Sequence, residues 1–309
     1  MKNKIDTTQP TVLGAIDIGS NGARLLIKKF DPTAAIPAER IRKVMFVRVP
    51  LRLGKDVFTL GKISKEREYM MLHMMKAYKQ LLMLYRVSVY RACATSAMRD
   101  AENGKKVLAD IEKKTGIKLN IIRGDEEAAL LCNNLVEKTG SNAGNFAYVD
   151  VGGGSTEISL LHDGVLAKSH SFNIGTLRLL GGQITSSEWK DLQNILGNFA
   201  SKFDNIRVIG SGGNINKLYK LAHPSKDETS LSVEKLQALY DSLNKLTVEE
   251  RIVNYNLKDD RADVIVPAAY IFLKVCSFLK CNTIIVPNIS LADSIVDGLW
   301  RSLNEQSQS

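Results

Sequence analysis

The chain has 309 residues, of which 44% are hydrophobic, and its formal net charge is +9 at pH 7. This length and composition can bury a sizeable core and favour two domains over one. Four histidines, and four cysteines without metal-ligand spacing, argue against a zinc site.

We expect neither a secretion signal nor a membrane-spanning segment in this sequence. Residues 1–10 are polar, unlike a signal peptide. The longest apolar stretch, residues 264–273, contains Pro267 and is too short to span a bilayer. We therefore expect a cytoplasmic protein with reduced thiols and no membrane partner.

The positive charge is concentrated between residues 38 and 67. Nine basic residues lie there: Arg40, Arg42, Lys43, Arg48, Arg52, Lys55, Lys62, Lys65 and Arg67. The same segment has only Glu39, Asp56 and Glu66 as acids. It is either a solvated face or a track for a polyanionic ligand, whose binding would weaken as salt rises.

Strands and helices are predicted along the first half of the chain. Strands are predicted at residues 12–18, 24–30, 40–49, 87–94 and 117–123. Helices are predicted at residues 64–86, 101–116 and 125–138. Ser64 and Asp125 are the expected N-caps of two of these helices. A polar linker is predicted at residues 140–145.

The second half begins with strands and ends with helices. Strands are predicted at residues 146–151, 156–161, 165–172, 205–209 and 283–287. Helices are predicted at residues 185–203, 232–246, 247–254, 262–279 and 291–303. The pair Asp163-Gly164 predicts a type I′ turn, and Thr185 and Thr247 each begin a capping box.

A glycine-rich loop follows the strand predicted at residues 146–151. The loop comprises Gly152, Gly153, Gly154, Ser155 and Thr156. Successive glycines let backbone N–H groups approach phosphate oxygens. Asp150 and Glu157 flank the loop, and two carboxylates beside a phosphate imply a cation, Mg²⁺ or Mn²⁺. A plain β-turn is the alternative for such a loop alone.

A second apolar strand ending in Asp-x-Gly lies near the N-terminus. It ends at Asp17 and is followed by Gly19, Ser20 and Asn21. A repeat at domain-sized separation predicts a duplicated domain, with two phosphate loops facing across a cleft.

The acidic segment at residues 125–127 is a third candidate. Glu126 and Glu127 fall in the first turn of the predicted helix, where the helix dipole favours ionised carboxylates. Helix-start chemistry alone would explain them. A carboxylate here could instead orient and deprotonate a water that attacks a terminal phosphate.

Six segments together resemble the exopolyphosphatase/guanosine pentaphosphate phosphohydrolase (Ppx/GppA) family, in its order and spacing. They are residues 16–21, 94–103, 124–128, 150–157, 175–179 and 210–213. The resemblance implies an α/β fold with two ribonuclease-H-like domains of the actin-like ATPase (ASKHA) superfamily around a central cleft. The domains would be residues 1–124 plus 291–309, and residues 125–290.

The same resemblance implies roles for single residues. Glu127 matches the catalytic base, and Asp150 and Glu157 match the acids around metal and phosphate, with Asp150 counted as catalytic. The matched phosphate-binding residues are Asp17, Ser20, Asn21, Arg24, Arg99, Gly152, Gly153, Gly154, Ser155, Thr156, Gly212 and Gly213. The last two lie in the loop that meets a nucleoside in kinase relatives.

The implied activity is release of terminal orthophosphate from inorganic polyphosphate with Mg²⁺ or Mn²⁺. Guanosine pentaphosphate (pppGpp) 5′-phosphohydrolase is the first alternative. Others are a catalytically impaired polyphosphate- or nucleotide-binding regulator and a phosphotransferase. We expect no nucleic-acid partner, and a homodimer is an open alternative to the monomer.

The chain departs from the family pattern at three places. Gly22 stands where serine is common, Ala129 replaces a frequent arginine, and residues 290–294 replace a glycine–leucine–arginine–glutamate–glycine segment. The extra C-terminal helical domain of long members is also absent from this two-domain pattern. These departures bear on substrate preference, turnover and processivity more than on fold.

Overall fold

The computed structural model describes residues 6–127, 129–130, 143–222, 230–287 and 289–308. The chain divides into two compact units. The first is Met1–Arg123 with Leu291–Ser309, and the second is Gly124–Ser290. The linker predicted at residues 140–145 lies partly outside the described residues, as does most of the helix predicted at residues 125–138.

The first unit is built on a five-stranded mixed sheet. Its strands are β1 (Thr11–Ile18), β2 (Ala23–Phe30), β3 (Ile41–Val49), β4 (Val89–Ala94) and β5 (Asn120–Ile121). They lie in the order β3-β2-β1-β4-β5. The pairs β1/β2 and β2/β3 are antiparallel, and the pairs β1/β4 and β4/β5 are parallel. β1 is buried along almost its whole length because it is the central strand.

Helices cover the first sheet. They are α1 (Leu53–Leu60), α2 (Lys65–Leu84), α3 (Ser96–Asp100), α4 (Gly104–Thr115) and the C-terminal helix (Leu291–Gln308). Ser64 Oγ accepts a hydrogen bond from the Arg67 N–H at 3.3 Å, so the predicted cap of α2 is confirmed. Met71, Met74 and Met75 lie on its buried face.

The second unit is built on a six-stranded mixed sheet. Its strands are β6 (Asn145–Val151), β7 (Thr156–His162), β8 (Val165–Phe172), β9 (Arg207–Ser211), β10 (Ser230–Ser232) and β11 (Thr283–Ile285). They lie in the order β10-β11-β9-β6-β7-β8. The pairs β6/β7 and β7/β8 are antiparallel, and β6/β9 and β9/β11 are parallel.

The two sheets share one topology. In each, three consecutive antiparallel strands are followed by two strands parallel to the first, on its other side. β6 thus occupies the position of β1, and β7, β8, β9 and β11 those of β2, β3, β4 and β5. β10 is an additional edge strand, antiparallel to β11. The predicted α/β fold class, built as two units whose sheets share one strand order, is confirmed.

Besides the helix that begins at Gly124, the described part of the second unit has seven helices. They are α5 (Thr176–Leu180), α6 (Ser186–Ala200), α7 (Gly213–Leu221), α8 (Val233–Asn244), α9 (Val248–Tyr255), α10 (Asp259–Ala262) and α11 (Ile265–Leu279). The capping boxes predicted at Thr185 and Thr247 are both confirmed. The Asp163-Gly164 turn is also confirmed, because both residues have positive φ as a type I′ turn requires.

The helical stretch Asp259–Leu279 is, by length and composition, apolar enough to cross a membrane. It extends beyond the apolar run at residues 264–273 considered in the sequence. The structure buries 67% of the apolar window within the protein. Ile271, Phe272 and Val275 have no exposed surface and belong to the core of the second unit. Such burial is typical of a core helix in a soluble domain.

A buried ion cluster attaches the C-terminal helix to β2. Lys28 Nζ lies 3.1 Å from Asp293 Oδ1 and 2.8 Å from Asp297 Oδ1. These side chains are only 6%, 9% and 12% exposed. Phe30 stacks on Trp300 nearby, with ring centroids 4.8 Å apart. The acid at position 293, within the segment that departs from the family pattern, therefore has a structural partner in β2.

We predict that Lys28→Met destabilises the protein by about 3 kcal/mol, because Asp293 and Asp297 would lose the buried lysine that bridges them. Urea unfolding measures this loss. Lys29→Met is the matched control, since the Lys29–Asp31 pair is more exposed and its removal costs less than about 1 kcal/mol. Adding Asp293→Asn and Asp297→Asn to Lys28→Met should recover most of the stability. Equal effects of the two lysine substitutions would contradict the buried cluster.

Candidate functional site

The turn at residues 19–22 joins β1 to β2 in the first unit. The Gly19 N–H donates to the Gly22 carbonyl at 3.1 Å, which closes the turn. Ser20 Oγ lies 2.8 Å from Ser96 Oγ, and both hydroxyls are buried. The structure thus brings the predicted first phosphate loop together with the start of α3.

A row of polar side chains crosses the first sheet beside this turn. Asp17 on β1 lies directly opposite Arg24 on β2, and Arg24 lies opposite Arg48 on β3. Arg24 Nη1 and Asp17 Oδ2 form an ion pair at 2.5 Å. Cys93 on β4 is the neighbour of Asp17 on the other side. Directly opposite residues share a face of the sheet, so this row presents two guanidinium groups and one carboxylate.

Arg99 and Asn21 are anchored by backbone contacts. Arg99, in α3, donates from Nη1 to the Ile122 carbonyl at 3.1 Å. The Asn21 carbonyl accepts from the Arg52 N–H at 3.1 Å. Both predicted residues therefore belong to the structural frame around the first turn, and their contact with phosphate stays a prediction.

The second glycine loop is held by the segment that begins α5. The N–H groups of Thr176 and Leu177 donate to the Gly152 and Gly153 carbonyls at 3.0 and 2.8 Å. Arg178 Nε donates to the Gly154 carbonyl at 2.7 Å. Because the carbonyls of all three glycines accept hydrogen bonds from one side, the loop has a defined conformation.

The hydroxyls at the end of this loop also have structural roles. Thr156 Oγ1 donates to the Ile174 carbonyl at 2.5 Å. Ser155 Oγ donates to Glu157 Oε1 at 2.6 Å, and Ser171 Oγ donates to the same oxygen at 2.9 Å. Glu157 is therefore held as a buried acceptor by two neighbouring hydroxyls.

A second row crosses the second sheet at the position equivalent to the first. Asp150 on β6 lies opposite Glu157 on β7, and Glu157 lies opposite Ser171 on β8. Ser211 on β9 is the other neighbour of Asp150. This row is acidic where the row of the first unit is basic. Like charges directly opposite each other are destabilising, and a cation would offset that repulsion.

The loop at residues 210–213 approaches Asp150 closely. Gly212 has a φ of 98°, and a β-carbon at this position would lie 2.7 Å from Asp150 Oδ1. Arg261, from α10, donates through Nη1 to the Gly213 carbonyl. The structure therefore brings predicted Gly212 to the acidic row, whereas Gly213 is covered by an arginine that the sequence did not indicate.

Glu127 lies in the second unit and is 7% exposed. Residues 124–127 are helical, so Asp125, predicted as N-cap, lies inside the helix, where its Oδ1 accepts from the Glu126 N–H at 3.0 Å. The helix start packs on β8, because a β-carbon at Gly124 would lie 2.3 Å from Ser171 Cβ. Glu127 is thus a buried carboxylate on a segment that contacts the acidic row.

The donor set of the acidic row fits a hard divalent cation. Among the described residues no group of three or more His, Cys, Asp or Glu side chains is placed to hold a metal alone. Mg²⁺ commonly binds one or two carboxylates and completes its shell with phosphate oxygens and water. Asp150 and Glu157 would supply the carboxylates. The buried Ser211 Oγ, which lacks a hydrogen-bond partner in the described structure, adds an oxygen beside them.

Four residues of these loops and rows were missed by sequence reasoning or not used there. They are Arg48, Ser171, Arg178 and Arg261. Each is brought to its place by a residue distant in sequence, such as the Gly154 carbonyl for Arg178. Two of them had a local signal in the sequence. Arg48 lies in the basic stretch at residues 38–67, and Arg178 lies in the motif at residues 175–179.

The sequence profile of the Ppx/GppA phosphatase family matches residues 34–302. Exopolyphosphatase 1 of Mycobacterium tuberculosis is 31% identical over 147 residues, which are 48% of this chain and 41% of that protein. Guanosine-5′-triphosphate,3′-diphosphate pyrophosphatase of Aeromonas salmonicida is 22% identical over 92% of this chain and 58% of its own length. The chain thus matches about half the length of these curated relatives.

Two solved structures support the fold. The exopolyphosphatase from Cytophaga hutchinsonii superposes with a TM-score of 0.81 at 24% identity, covering 94% of this chain and 98% of its own. The Aquifex aeolicus Ppx/GppA family member gives a TM-score of 0.74 at 23% identity, over 97% and 100% of the two chains. At this identity the likeness establishes the fold alone.

We predict that Gly212→Ala destabilises the protein by about 2 kcal/mol, because alanine resists positive φ and its β-carbon would press on Asp150. Thermal unfolding measures the loss. Gly197→Ala, inside α6, is the matched control, since no atom lies within 4 Å of the added carbon. Its stability should stay the same or rise by up to about 1 kcal/mol. Equal melting temperatures for the two variants would contradict the close approach.

Proposed function

Because this chain belongs to the Ppx/GppA phosphatase family, we propose that it is a phosphohydrolase that releases terminal orthophosphate from inorganic polyphosphate. The observation that carries the proposal is that a row of polar side chains crosses each sheet at the equivalent position, beside a glycine segment. In the first unit, Arg24 stands beside a glycine turn, as a phosphate site requires. In the second unit, Asp150 and Glu157 stand beside a glycine loop, as a metal–phosphate site requires.

Glu127 is the proposed general base. Hydrolysis of a terminal phosphoanhydride requires a water placed in line with the bond that breaks, and charge neutralisation at the phosphoryl oxygens. Glu127 accepts a proton from this water while the water oxygen forms its bond to phosphorus. The bridging oxygen leaves with the shortened phosphate chain. Burial of Glu127 keeps bulk water from competing for its carboxylate.

Asp150 and Glu157 are the proposed metal-binding residues. When Mg²⁺ or Mn²⁺ is bound, it supplies charge neutralisation at the phosphoryl oxygens. Ser155 and Ser171 keep the Glu157 carboxylate oriented through its Oε1. Asp150 is fixed between two strands of the sheet.

Phosphate oxygens are proposed to bind at both glycine segments and the loop beside Asp150. The residues assigned in the first unit are Asp17, Ser20, Asn21, Arg24 and Arg99. Those assigned in the second are Gly152, Gly153, Gly154, Ser155, Thr156, Gly212 and Gly213. For Asp17 and Thr156 the contacts support a positioning role, because Asp17 pairs with Arg24 and the Thr156 hydroxyl donates to a carbonyl.

Hydrolysis of guanosine pentaphosphate is the second candidate function. The Aeromonas salmonicida relative named for that class of substrate matches 92% of this chain. The basic residues of the first unit favour inorganic polyphosphate over guanosine pentaphosphate as the substrate. Orthophosphate release from the two substrates, compared at equal concentration, separates the candidates. A cytoplasmic location and a homodimer belong to the same proposal.

We predict that Glu127→Gln lowers kcat for polyphosphate by about a hundredfold or more, because the amide cannot accept the water's proton. Orthophosphate release with Mg²⁺ present measures this, and substrate binding should persist. Glu126→Gln is the matched control, because the Glu126 side chain is next to Glu127 in sequence but exposed. This variant should retain activity. A wild-type protein that binds polyphosphate but releases no phosphate with any divalent ion would refute the hydrolase and leave the regulator.

We predict that Glu157→Gln weakens divalent metal binding about tenfold, because one charged ligand is lost while the two serine hydrogen bonds can persist. Mn²⁺ binding, followed by electron paramagnetic resonance, measures this without turnover. Glu188→Gln, at the capping box of α6, is a control outside the site. Unchanged Mn²⁺ affinity in Glu157→Gln would remove this residue from the metal site.

A further inference from the structure

Arg48 stands third in the basic row of the first unit. It lies opposite Arg24, which lies opposite Asp17. Arg24 is engaged by the Asp17 carboxylate at 2.5 Å. The row of Asp17, Arg24 and Arg48 therefore contains two guanidinium groups and one carboxylate.

Gly22 provides the space in which the Arg48 guanidinium lies. A β-carbon at position 22 would be 3.3 Å from Arg48 Nη2, 3.4 Å from Arg48 Cζ and 3.0 Å from the Val49 carbonyl oxygen. The guanidinium thus rests against the backbone of the turn. Any side chain at position 22 would press on Arg48 or on the end of β3.

Backbone hydrogen bonds hold the chain after β3 against the same turn. The Arg52 N–H donates to the Asn21 carbonyl at 3.1 Å, and the Gly54 N–H donates to the Ser20 carbonyl at 2.8 Å. β3 is itself paired with β2 on the other side of Arg48. Arg48 is therefore presented from a backbone held at both ends, which lowers the entropy lost when its side chain binds a ligand.

We propose that Arg48 binds the phosphate chain of the substrate at the turn formed by residues 19–22, next to Arg24. Two guanidinium groups side by side can each donate paired hydrogen bonds to a different phosphoryl group. Arg48 therefore favours ligands with several linked phosphates over orthophosphate, and Gly22 is the residue that permits this. The inference rests on the proposed function, to which it adds a specificity-determining residue.

Isothermal titration calorimetry of the full chain with inorganic tripolyphosphate, and separately with orthophosphate, tests this assignment. Arg48→Gln is expected to weaken tripolyphosphate binding about tenfold, because a charge-assisted hydrogen bond is lost. Orthophosphate binding should change little. Arg42→Gln is the matched control, since it removes one charge from the opposite face of the same strand and should bind like wild type.

Two further variants separate binding from folding. Arg48→Lys keeps the charge but loses the planar fork, so its affinity should fall between wild type and Arg48→Gln. Gly22→Ser should weaken tripolyphosphate binding in the wild type and have little further effect in Arg48→Gln. Melting temperatures identify a variant that fails to fold, in which case Arg48→Lys carries the test.

Equal tripolyphosphate affinity in Arg48→Gln and Arg42→Gln would overturn the assignment, as would an equal loss for orthophosphate and tripolyphosphate. The proposed function fails separately. If the protein releases no phosphate yet binds tripolyphosphate in an Arg48-dependent way, hydrolysis is wrong and Arg48 stands. If it hydrolyses polyphosphate with an unchanged KM in Arg48→Gln, only the role of Arg48 is wrong.

Discussion

Strand register decides where the polar side chains of both units lie. Residues directly opposite each other in a sheet share one face, so Asp17 shares a row with Arg24, and Asp150 shares a row with Glu157. A slip of one residue would turn either row to the other face. The buried strands β1 and β6 resist such a slip because their apolar residues would have to leave the core.

The face of β2 that carries Arg24 also carries Lys28 and Phe30, because alternate residues of a strand point the same way. At Arg24 this face meets the first turn. At Lys28 and Phe30 it is covered by the C-terminal helix, through Asp293, Asp297 and the stacked Trp300. The C-terminal helix thus stabilises the same strand that presents Arg24, the proposed phosphate-binding arginine.

For the basic stretch at residues 38–67 the sequence left two alternatives, a solvated face and a track for a polyanionic ligand. Lys65 is an exposed lysine paired with Glu68 at 2.7 Å, as expected for a solvated face. Arg48 instead lies against the first turn. A β-bulge in the β2/β3 pairing places Arg48 and Lys43 on one face and Arg42 on the other. Simple alternation along the sequence would have given the opposite grouping.

The sequence by itself determined both glycine segments, their aspartates and the capped helices, because alternating apolar residues, glycines and capping boxes act over a few neighbouring positions. The fold class followed from the resemblance of six segments to a known family. The sequence patterns missed the short helices α1, α3, α5, α7 and α10 and the edge strand β10, each of which has at most nine residues. Only the tertiary structure decided which polar side chains meet. Arg48 with Gly22 and Ser171 with Glu157 are joined by strand pairing, bulges and loop contacts between segments distant in sequence, which no local pattern encodes.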